Sequence, residues 1–201
     1  MMSVNTTNFQ KFKSKNIVVN KLIGRFYRVL REHLEKQPPR VFLDAGCGEG
    51  ESIKRLDDVL VDSEVYGFDI NPECVAFCNN TYPNKNWQVG DIYNTQYAND
   101  FFDMVMCCEV LEHLQNPEKA LEELIRISNK YLLLSVPHEP YFQIGSFCRG
   151  KYWKSWGNHP EHINHWNSNS FCRFLQSNEK IKCIKMTNSF PWLIVFCEIE
   201  I

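Results

Sequence analysis

The chain has 201 residues, of which 44% are hydrophobic and 23% are charged, and its formal net charge at pH 7 is −2. This length suits one domain, and the near-neutral charge excludes a general attraction to nucleic acid or anionic membranes. The sequence shows neither an apolar run of membrane-spanning length nor a secretory signal pattern. Nine cysteines without a CxxC pair favour reduced thiols, so we expect one cytoplasmic domain over residues 1–201.

Helix and strand patterns alternate over the first two thirds of the chain. Apolar residues at intervals of four from Leu22 predict an amphipathic helix that starts at Ile17 and stops before Pro38. We interpret this N-terminal helical segment, residues 1–39, as a cover for the sheet or a second wall of a pocket. Five strand patterns follow at about residues 40–45, 64–69, 86–92, 102–110 and 131–137, with helical patterns between them. This alternation predicts a parallel sheet with helices on both faces.

The alternation stops at Pro137. Residues 138–167 are rich in histidine, tryptophan and basic residues and are too long for an ordinary connection. Because the net charge is negative, we interpret them as a lid-like insertion over a pocket rather than a nucleic-acid surface. A helix capped by Ser168 or Ser170 follows, and two further strand patterns at residues 181–187 and 192–201 predict a hairpin.

A glycine-rich loop follows the first strand, where residues 41–50 read V-F-L-D-A-G-C-G-E-G. Such a loop lets a ligand approach the backbone and offers N–H groups at the start of the next helix. The loop differs from the dinucleotide fingerprint because Glu51 stands where a third glycine is required, and it lacks the Gly-Lys pair of a phosphate-binding loop. Acidic residues also fall at the ends of four predicted strands: Asp44, Asp69, Asp91 and Glu109. Carboxyl ends of parallel strands form the ligand-binding edge of such sheets, so we expect an acid-rich site there.

The pattern D-x-G-x-G-x-G, with acids closing the second and third strands, resembles the class I S-adenosylmethionine-dependent methyltransferases over roughly residues 40–137. The segments E-V-L-E-H-L and N-P-E-K-A-L resemble the small ubiquinone- and menaquinone-type enzymes of that class. The resemblance implies a Rossmann-like sheet of seven strands, mostly parallel, that ends in an antiparallel hairpin. It also implies methyl transfer from S-adenosylmethionine to an oxygen or nitrogen of a small-molecule acceptor, which leaves S-adenosylhomocysteine.

The resemblance further assigns roles to residues at the predicted strand ends. Asp69 would accept the ribose hydroxyls, Asp91 with Ile92 would hold the adenine, and Asp44 would orient the ammonium. Cys108 and Glu109 would line the methionine part and the approach to the methyl group. The full implied cofactor site is Asp44, Gly46, Cys47, Gly48, Asp69, Ile70, Asp91, Ile92, Cys108 and Glu109.

Two histidines follow predicted strand ends and are candidates for a base or another substrate-side role. His138 is the first choice and His113 the second, since an imidazole titrates near neutral pH. The simpler interpretation is that His113 caps a turn and that His138 makes a hydrogen bond in the insertion.

Two alternatives to a small-molecule enzyme stay open. Glu109, Glu112 and His113 form E-x-x-E-H, which with His162 resembles the metal site of small-RNA 3′-end methyltransferases. That resemblance implies a metal-assisted RNA 2′-O-methyltransferase and leaves a divalent metal open as a second cofactor. The other alternative is a partner subunit without catalytic activity.

Overall fold

The computed structural model describes residues 16–141 and 162–200. Helix α1, Ile17–Lys36, begins at Asn16, whose side chain accepts hydrogen bonds from the N–H groups of Val18 and Val19. The predicted start of this helix is therefore confirmed. The remaining elements are β1 Val41–Ala45, α2 Glu51–Leu56, a 3₁₀ turn Asp57–Val59, β2 Glu64–Asp69, α3 Pro72–Thr81, β3 Asn86–Val89, β4 Phe102–Cys108, a 3₁₀ turn Leu111–His113, α4 Pro117–Ile127, β5 Ser128–Pro137, α5 Ser168–Gln176, β6 Ile181–Ser189 and β7 Trp192–Ile199.

The strands of the described ranges form one seven-stranded sheet in the order β3-β2-β1-β4-β5-β7-β6. The first five strands pair in parallel, and β7 runs antiparallel to both β5 and β6. This confirms the predicted mostly parallel sheet with a C-terminal antiparallel hairpin. The strand order reverses between β1 and β4, and ligands bind such sheets in the crevice at that point.

The sheet carries a hydrophobic core on each face. Neighbouring residues of a strand face opposite ways, and Phe42 and Leu43 of β1 accordingly belong to different cores. Helices α1, α2 and α3 pack on the Phe42 side, and α4 and α5 pack on the Leu43 side. None of the described helices is both long and apolar enough to cross a membrane.

Several boundaries differ from the sequence prediction. Strand β3 ends at Val89 rather than Ile92, since the chain then turns: the Asn94 N–H donates to the Asp91 carbonyl at 3.1 Å. Strand β5 begins at Ser128, three residues before the predicted start. The cap of α5 is Asn167, whose side chain accepts from the Ser170 N–H, rather than Ser168 or Ser170 themselves. Most of the predicted lid-like insertion, residues 142–161, lies outside the described residues, so the lid stays a prediction.

Candidate active site

The glycine loop turns sharply after β1 because its first two N–H groups bind the neighbouring strand. The N–H groups of Gly46 and Cys47 both donate to the Phe68 carbonyl of β2, each at 2.9 Å. Gly46, Gly48 and Gly50 have φ values of 79°, 50° and 71°, in the left-handed region that favours glycine. The loop thus lies against the end of β2 and leads directly into α2.

Asp69 connects the glycine loop to the loop that follows β2. One carboxylate oxygen accepts the Gly48 N–H at 2.9 Å, and the other accepts the Asn71 N–H at 2.8 Å. Ile70, between these two loops, is 74% exposed. Asp69 is therefore held at the edge of the site by two backbone donors, at the position predicted for the ribose contact.

Asp44 lies buried at the end of β1, beside the glycine loop. Its side-chain Oδ2 has no hydrogen-bond partner among the described residues. Burial, together with the nearby charge of Asp69, raises the pKa of Asp44 to about 7. A buried carboxyl whose Oδ2 has no partner among the described residues is suited to a ligand ammonium, which would supply both a hydrogen bond and a compensating charge.

Asp44→Asn is expected to stabilise the ligand-free protein by roughly 4 kcal/mol near pH 8, and by only about 1–2 kcal/mol near pH 5. The pKa of the Asp44 carboxyl is 3.8 in the unfolded chain and rises to about 7 on folding. The folded protein therefore binds this proton more tightly than the unfolded chain does. Stability is therefore lost as the pH rises from about 4 to 7, and the uncharged asparagine removes that loss. Thermal unfolding of Asp44→Asn and of the unaltered protein at pH 5 and pH 8 measures the effect. A Tm difference between the two proteins that is equal at the two pH values would contradict the prediction.

Asp91 and Ile92 lie in the turn after β3. Asp91 is exposed, and its Oδ1 accepts the Tyr93 N–H at 2.9 Å, so the carboxylate is held at the start of the turn. Ile92 is buried and packs in the core that contains Leu43. Cys47 is also buried. Its pKa is raised chiefly by a hydrogen bond with Cys78 and secondly by burial, so Cys47 fills the loop as a neutral thiol.

An open cleft of about 70 Å³ runs along one side of the glycine loop. Its floor is formed by residues 46–49 and by Cys108 and Glu109 at the end of β4. Its opposite wall comes from Ile23, Phe26 and Tyr27 of α1 and from Trp192 at the start of β7. The helix thus supplies the second wall that its position before β1 suggested, while Trp192 was not predicted from the sequence.

Glu109 is fixed firmly at this cleft. Its φ value of 59° is unusual for a residue other than glycine, and its N–H donates to the Ser135 carbonyl at 3.1 Å. Its Oε1 accepts the Ser135 hydroxyl at 3.1 Å, and its Oε2 accepts the Trp192 Nε1–H at 2.6 Å. Burial raises the pKa of the adjacent Cys108 thiol, so Glu109 supplies the acidic group at the end of β4.

Neither of the two predicted base candidates is among the residues that line this cleft. His138 is buried just after β5, with its Nε2 3.3 Å from the Ser168 hydroxyl. His113 lies on the 3₁₀ turn after β4, near His162, with ring centroids 5.0 Å apart. Their catalytic roles stay predictions.

Part of the predicted metal-binding set comes together in the fold. Ligand atoms of Glu112, His113 and His162 lie within 4.8 Å of one another. His162 reaches this position because the next two residues donate their N–H groups to the Glu112 carbonyl at 2.8 and 3.0 Å. Glu109, the fourth predicted member, instead binds Ser135 and Trp192 and is not part of this group.

Comparison with known proteins gives a consistent picture of the central region. Residues 43–131 match the family model described as a methyltransferase domain. This range begins in β1, ends in β5, and contains the glycine loop, Asp44, Asp69, Asp91 and Glu109.

Two curated relatives carry named activities. Ajmaline N-methyltransferase of Rauvolfia serpentina is 30% identical over 99 residues, covering 46% of this chain and 34% of the relative. The mitochondrial ubiquinone biosynthesis O-methyltransferase of Saccharomyces cerevisiae is 31% identical over 121 residues, covering 57% of this chain and 38% of the relative. This chain therefore spans little more than a third of the length of these relatives.

The fold also matches a solved structure over nearly its whole length. Magnesium protoporphyrin IX methyltransferase of Synechocystis PCC 6803, solved with bound S-adenosylhomocysteine, aligns with a TM-score of 0.69 at 19% identity. The alignment covers 98% of this chain and 96% of that one. Residues 43–131 therefore match the methyltransferase domain model, and the chain has the fold of this solved methyltransferase.

Proposed function

We propose that this protein transfers a methyl group from S-adenosylmethionine to an oxygen or nitrogen of a small-molecule acceptor. The observation that carries the proposal is the cleft, which joins the glycine loop to an apolar wall made by α1 and Trp192. A methyl transfer requires the donor and the acceptor to meet in line, and one continuous cleft brings the two binding regions together.

The residues around the loop fit the cofactor. The unpartnered buried Oδ2 of Asp44 suits the ammonium, and Asp69 suits the ribose hydroxyls. Asp91 and Ile92 would hold the adenine, while the backbone of residues 46–48 and the Cys108–Glu109 corner would hold the methionine part. When bound, S-adenosylmethionine supplies an electrophilic methyl group; the task of the chain is to position the acceptor and exclude water.

Calorimetry with S-adenosylhomocysteine tests the cofactor half of this proposal. We expect micromolar binding, and binding weaker than millimolar would contradict it. A metabolite pool incubated with methyl-labelled cofactor, with and without chelator, then tests for a small-molecule acceptor.

A metal-assisted RNA 2′-O-methyltransferase is the second candidate function, and the grouping of Glu112, His113 and His162 favours it. One carboxylate and two imidazoles suit a first-row divalent ion. The position of Glu109 weakens this candidate, since it removes the fourth predicted ligand.

Under the second candidate, Mn²⁺ is expected to be required for methylation of a short single-stranded RNA, and Glu112→Ala is expected to lower that activity by at least about 100-fold. The reason is that loss of the buried carboxylate leaves only two imidazole ligands. Glu118→Ala, which alters an exposed acid at the start of α4, serves as the matched control. Turnover that is unaffected by EDTA would exclude the metal-assisted function.

A further inference from the structure

The outer face of α1 carries a stripe of three exposed cations, Lys21, Arg25 and Arg28. They are spaced by four and then three residues, so they lie on one side of the helix, and the first and last are about 10 Å apart along its axis. The Arg25 guanidinium donates to the Asn188 carbonyl at 3.2 Å, and within residues 16–141 and 162–200 none of the three has an ion pair. The stripe therefore keeps its positive charge, although the net charge of the chain is −2.

Two exposed aliphatic residues begin the same stripe. Ile17 and Val18 are 71% and 64% exposed, and they precede Lys21 by four and three residues, which places them on its side of the helix. Isolated exposed aliphatic residues are common and need no explanation. Aliphatic residues at one end of a row of helix cations are instead typical of a helix that lies in the interface of a lipid bilayer.

The charge of this outer face changes sign along the helix. Glu32 and Glu35 are exposed and follow Arg28, so a negatively charged surface would attract the first half of α1 and repel the second. The strand-end acids Asp69 and Asp91 follow β2 and β3, at the opposite side of the sheet from β6 and β7, on which α1 packs. The cationic half of α1 is therefore separated from the acids of the predicted cofactor site.

The cationic half of α1 lies at the edge of the sheet where the cleft opens. Arg25 contacts Asn188, next to the last residue of β6, and β6 runs parallel to β5 because both are antiparallel to β7. The other end of α1 lies at the opposite edge, where Gln37 accepts the Tyr131 hydroxyl near the start of β5. Phe26, between the stripe cations in sequence, turns inward and lines the cleft. A surface that binds the stripe would therefore lie beside the mouth of the cleft.

We propose that the outer face of α1 docks on an anionic lipid bilayer, with Lys21, Arg25 and Arg28 against the lipid phosphates and Ile17 and Val18 inserted among the headgroups. The proposal goes beyond methyl transfer and does not depend on it. It places the cleft mouth at the bilayer surface, where a lipophilic acceptor could enter without passing through bulk water. A nucleic acid fits this face less well, because its phosphates would engage the cations but offer no apolar layer to the aliphatic side chains.

Co-sedimentation of the full chain with sucrose-loaded vesicles tests the docking. Vesicles of phosphatidylcholine alone are compared with vesicles that also contain about 30 mol % phosphatidylglycerol. We expect at least about tenfold stronger binding to the anionic vesicles, since each cation near such a surface strengthens binding several-fold. Raising NaCl from about 0.1 M to about 0.5 M should weaken this binding, because salt screens the attraction. Equal binding to the two kinds of vesicle, or no binding to either, would overturn the proposal.

Two triple variants with the same change of net charge locate the surface. The test variant, Lys21→Gln with Arg25→Gln and Arg28→Gln, should lose at least about tenfold in binding to the anionic vesicles. The matched control replaces three exposed lysines near the other edge of the sheet: Lys36→Gln, Lys130→Gln and Lys180→Gln. The control should stay within about twofold of the unaltered protein, because these lysines lie away from the proposed contact. An equal loss in both variants would show that net charge alone acts, and the assigned surface would be wrong.

The aliphatic residues separate a bilayer from other anionic partners. Ile17→Ser with Val18→Ser leaves the charge unchanged and should weaken vesicle binding several-fold, since less apolar surface would leave water. Vesicle binding that this double variant leaves unaltered would contradict insertion. Tighter binding to a single-stranded RNA than to the anionic vesicles, lost in the cation variant, would assign the face to nucleic acid and overturn the proposal.

The affinity for S-adenosylhomocysteine keeps this proposal distinct from the proposed function. All the substituted residues are exposed and lie outside the cleft lining, so each variant should bind S-adenosylhomocysteine like the unaltered protein. If S-adenosylhomocysteine binds but the vesicles do not, docking is wrong and the methyltransferase function stands. If the vesicles bind as expected but S-adenosylhomocysteine does not, docking stands and the proposed function fails.

Discussion

Replacing Asp69 by alanine is expected to weaken the binding of S-adenosylhomocysteine by about 100-fold. Under the proposed function this carboxylate accepts the two ribose hydroxyls, and hydrogen bonds to a charged group are worth about 1.5–3 kcal/mol each. The same substitution removes the acceptor for the Gly48 N–H, so the glycine loop also loses a support. Calorimetry on the purified variant, with circular dichroism to check folding, measures the change in Kd.

Two comparison variants show which effect dominates. Asp69→Asn keeps one side-chain oxygen for a backbone N–H but removes the charge, so we expect a loss of about tenfold if the ribose contact matters most. Asp62→Ala removes an exposed acid just before β2, at the opposite edge of the sheet from the site, and should leave the Kd unchanged. Binding by Asp69→Ala within twofold of the unaltered protein would contradict the assigned role.

The parts of the site that could be predicted from sequence are those set by local chain signals. An apolar run that stops at Asp44 and enters alternating glycines defines both a strand end and a tight loop within ten residues. The same holds for Asp69, which ends β2 immediately before the Asn71 cap of α3. Parallel pairing then brings these ends to one edge of the sheet, so their proximity follows from the alternation of elements alone.

The wall of the cleft formed by α1 and Trp192 could not be predicted in the same way because it depends on contacts between distant parts of the chain. Phe26 lies on the first helix and Trp192 on the last strand, and only the antiparallel placement of β7 beside β5 brings their rings together. The hydrogen bond from Trp192 to Glu109 has the same origin. Neither residue belongs to a motif, and each looked like ordinary core in its own segment.

The E-x-x-E-H motif shows how a local pattern can mislead about geometry. Its spacing suggested that Glu109, Glu112 and His113 act together, as they would around one metal ion. In the fold, Glu109 follows β4 directly and is held by Ser135, whereas Glu112 and His113 lie on the next 3₁₀ turn. A short motif that crosses a strand end therefore divides between two sites, one in the cleft and one beside His162.

Gly46→Ala is expected to destabilise the protein by about 3 kcal/mol and to lower its Tm by about 10 °C. A residue with a side chain is strained at the φ value of 79° that Gly46 adopts, by roughly 1–2 kcal/mol. In addition, the new Cβ would lie 2.5 Å from the Val110 Cγ2, so one of the two segments must move. Thermal unfolding measures the loss of stability.

The same substitution should also impair ligand binding, since Val110 directly follows Glu109. Movement of Val110 away from the new methyl group would displace Glu109 from Ser135 and Trp192, so the affinity for S-adenosylhomocysteine should fall. The double variant Gly46→Ala with Val110→Ala removes the contact but keeps the backbone strain, and it should recover part of the binding of S-adenosylhomocysteine. If the double variant binds S-adenosylhomocysteine no better than Gly46→Ala alone, the link from the loop through Val110 to Glu109 is wrong.

Two other glycines provide controls that separate strain from contact. Gly48 has a φ of 50°, but no heavy atom lies within 4 Å of the position that an added Cβ would take, so Gly48→Ala should show the strain alone, a loss of about 1–2 kcal/mol. Gly24 lies inside α1 with open space around it, and Gly24→Ala should stabilise the protein by up to about 1 kcal/mol. We therefore expect the change in stability to run from a gain at Gly24, through a moderate loss at Gly48, to the greatest loss at Gly46. Backbone strain acts at Gly48 and Gly46, and of the three positions only Gly46 adds a steric contact. That order ties the stability of the glycine loop to the placement of the Glu109 carboxylate, where the methionine part of the cofactor is proposed to bind.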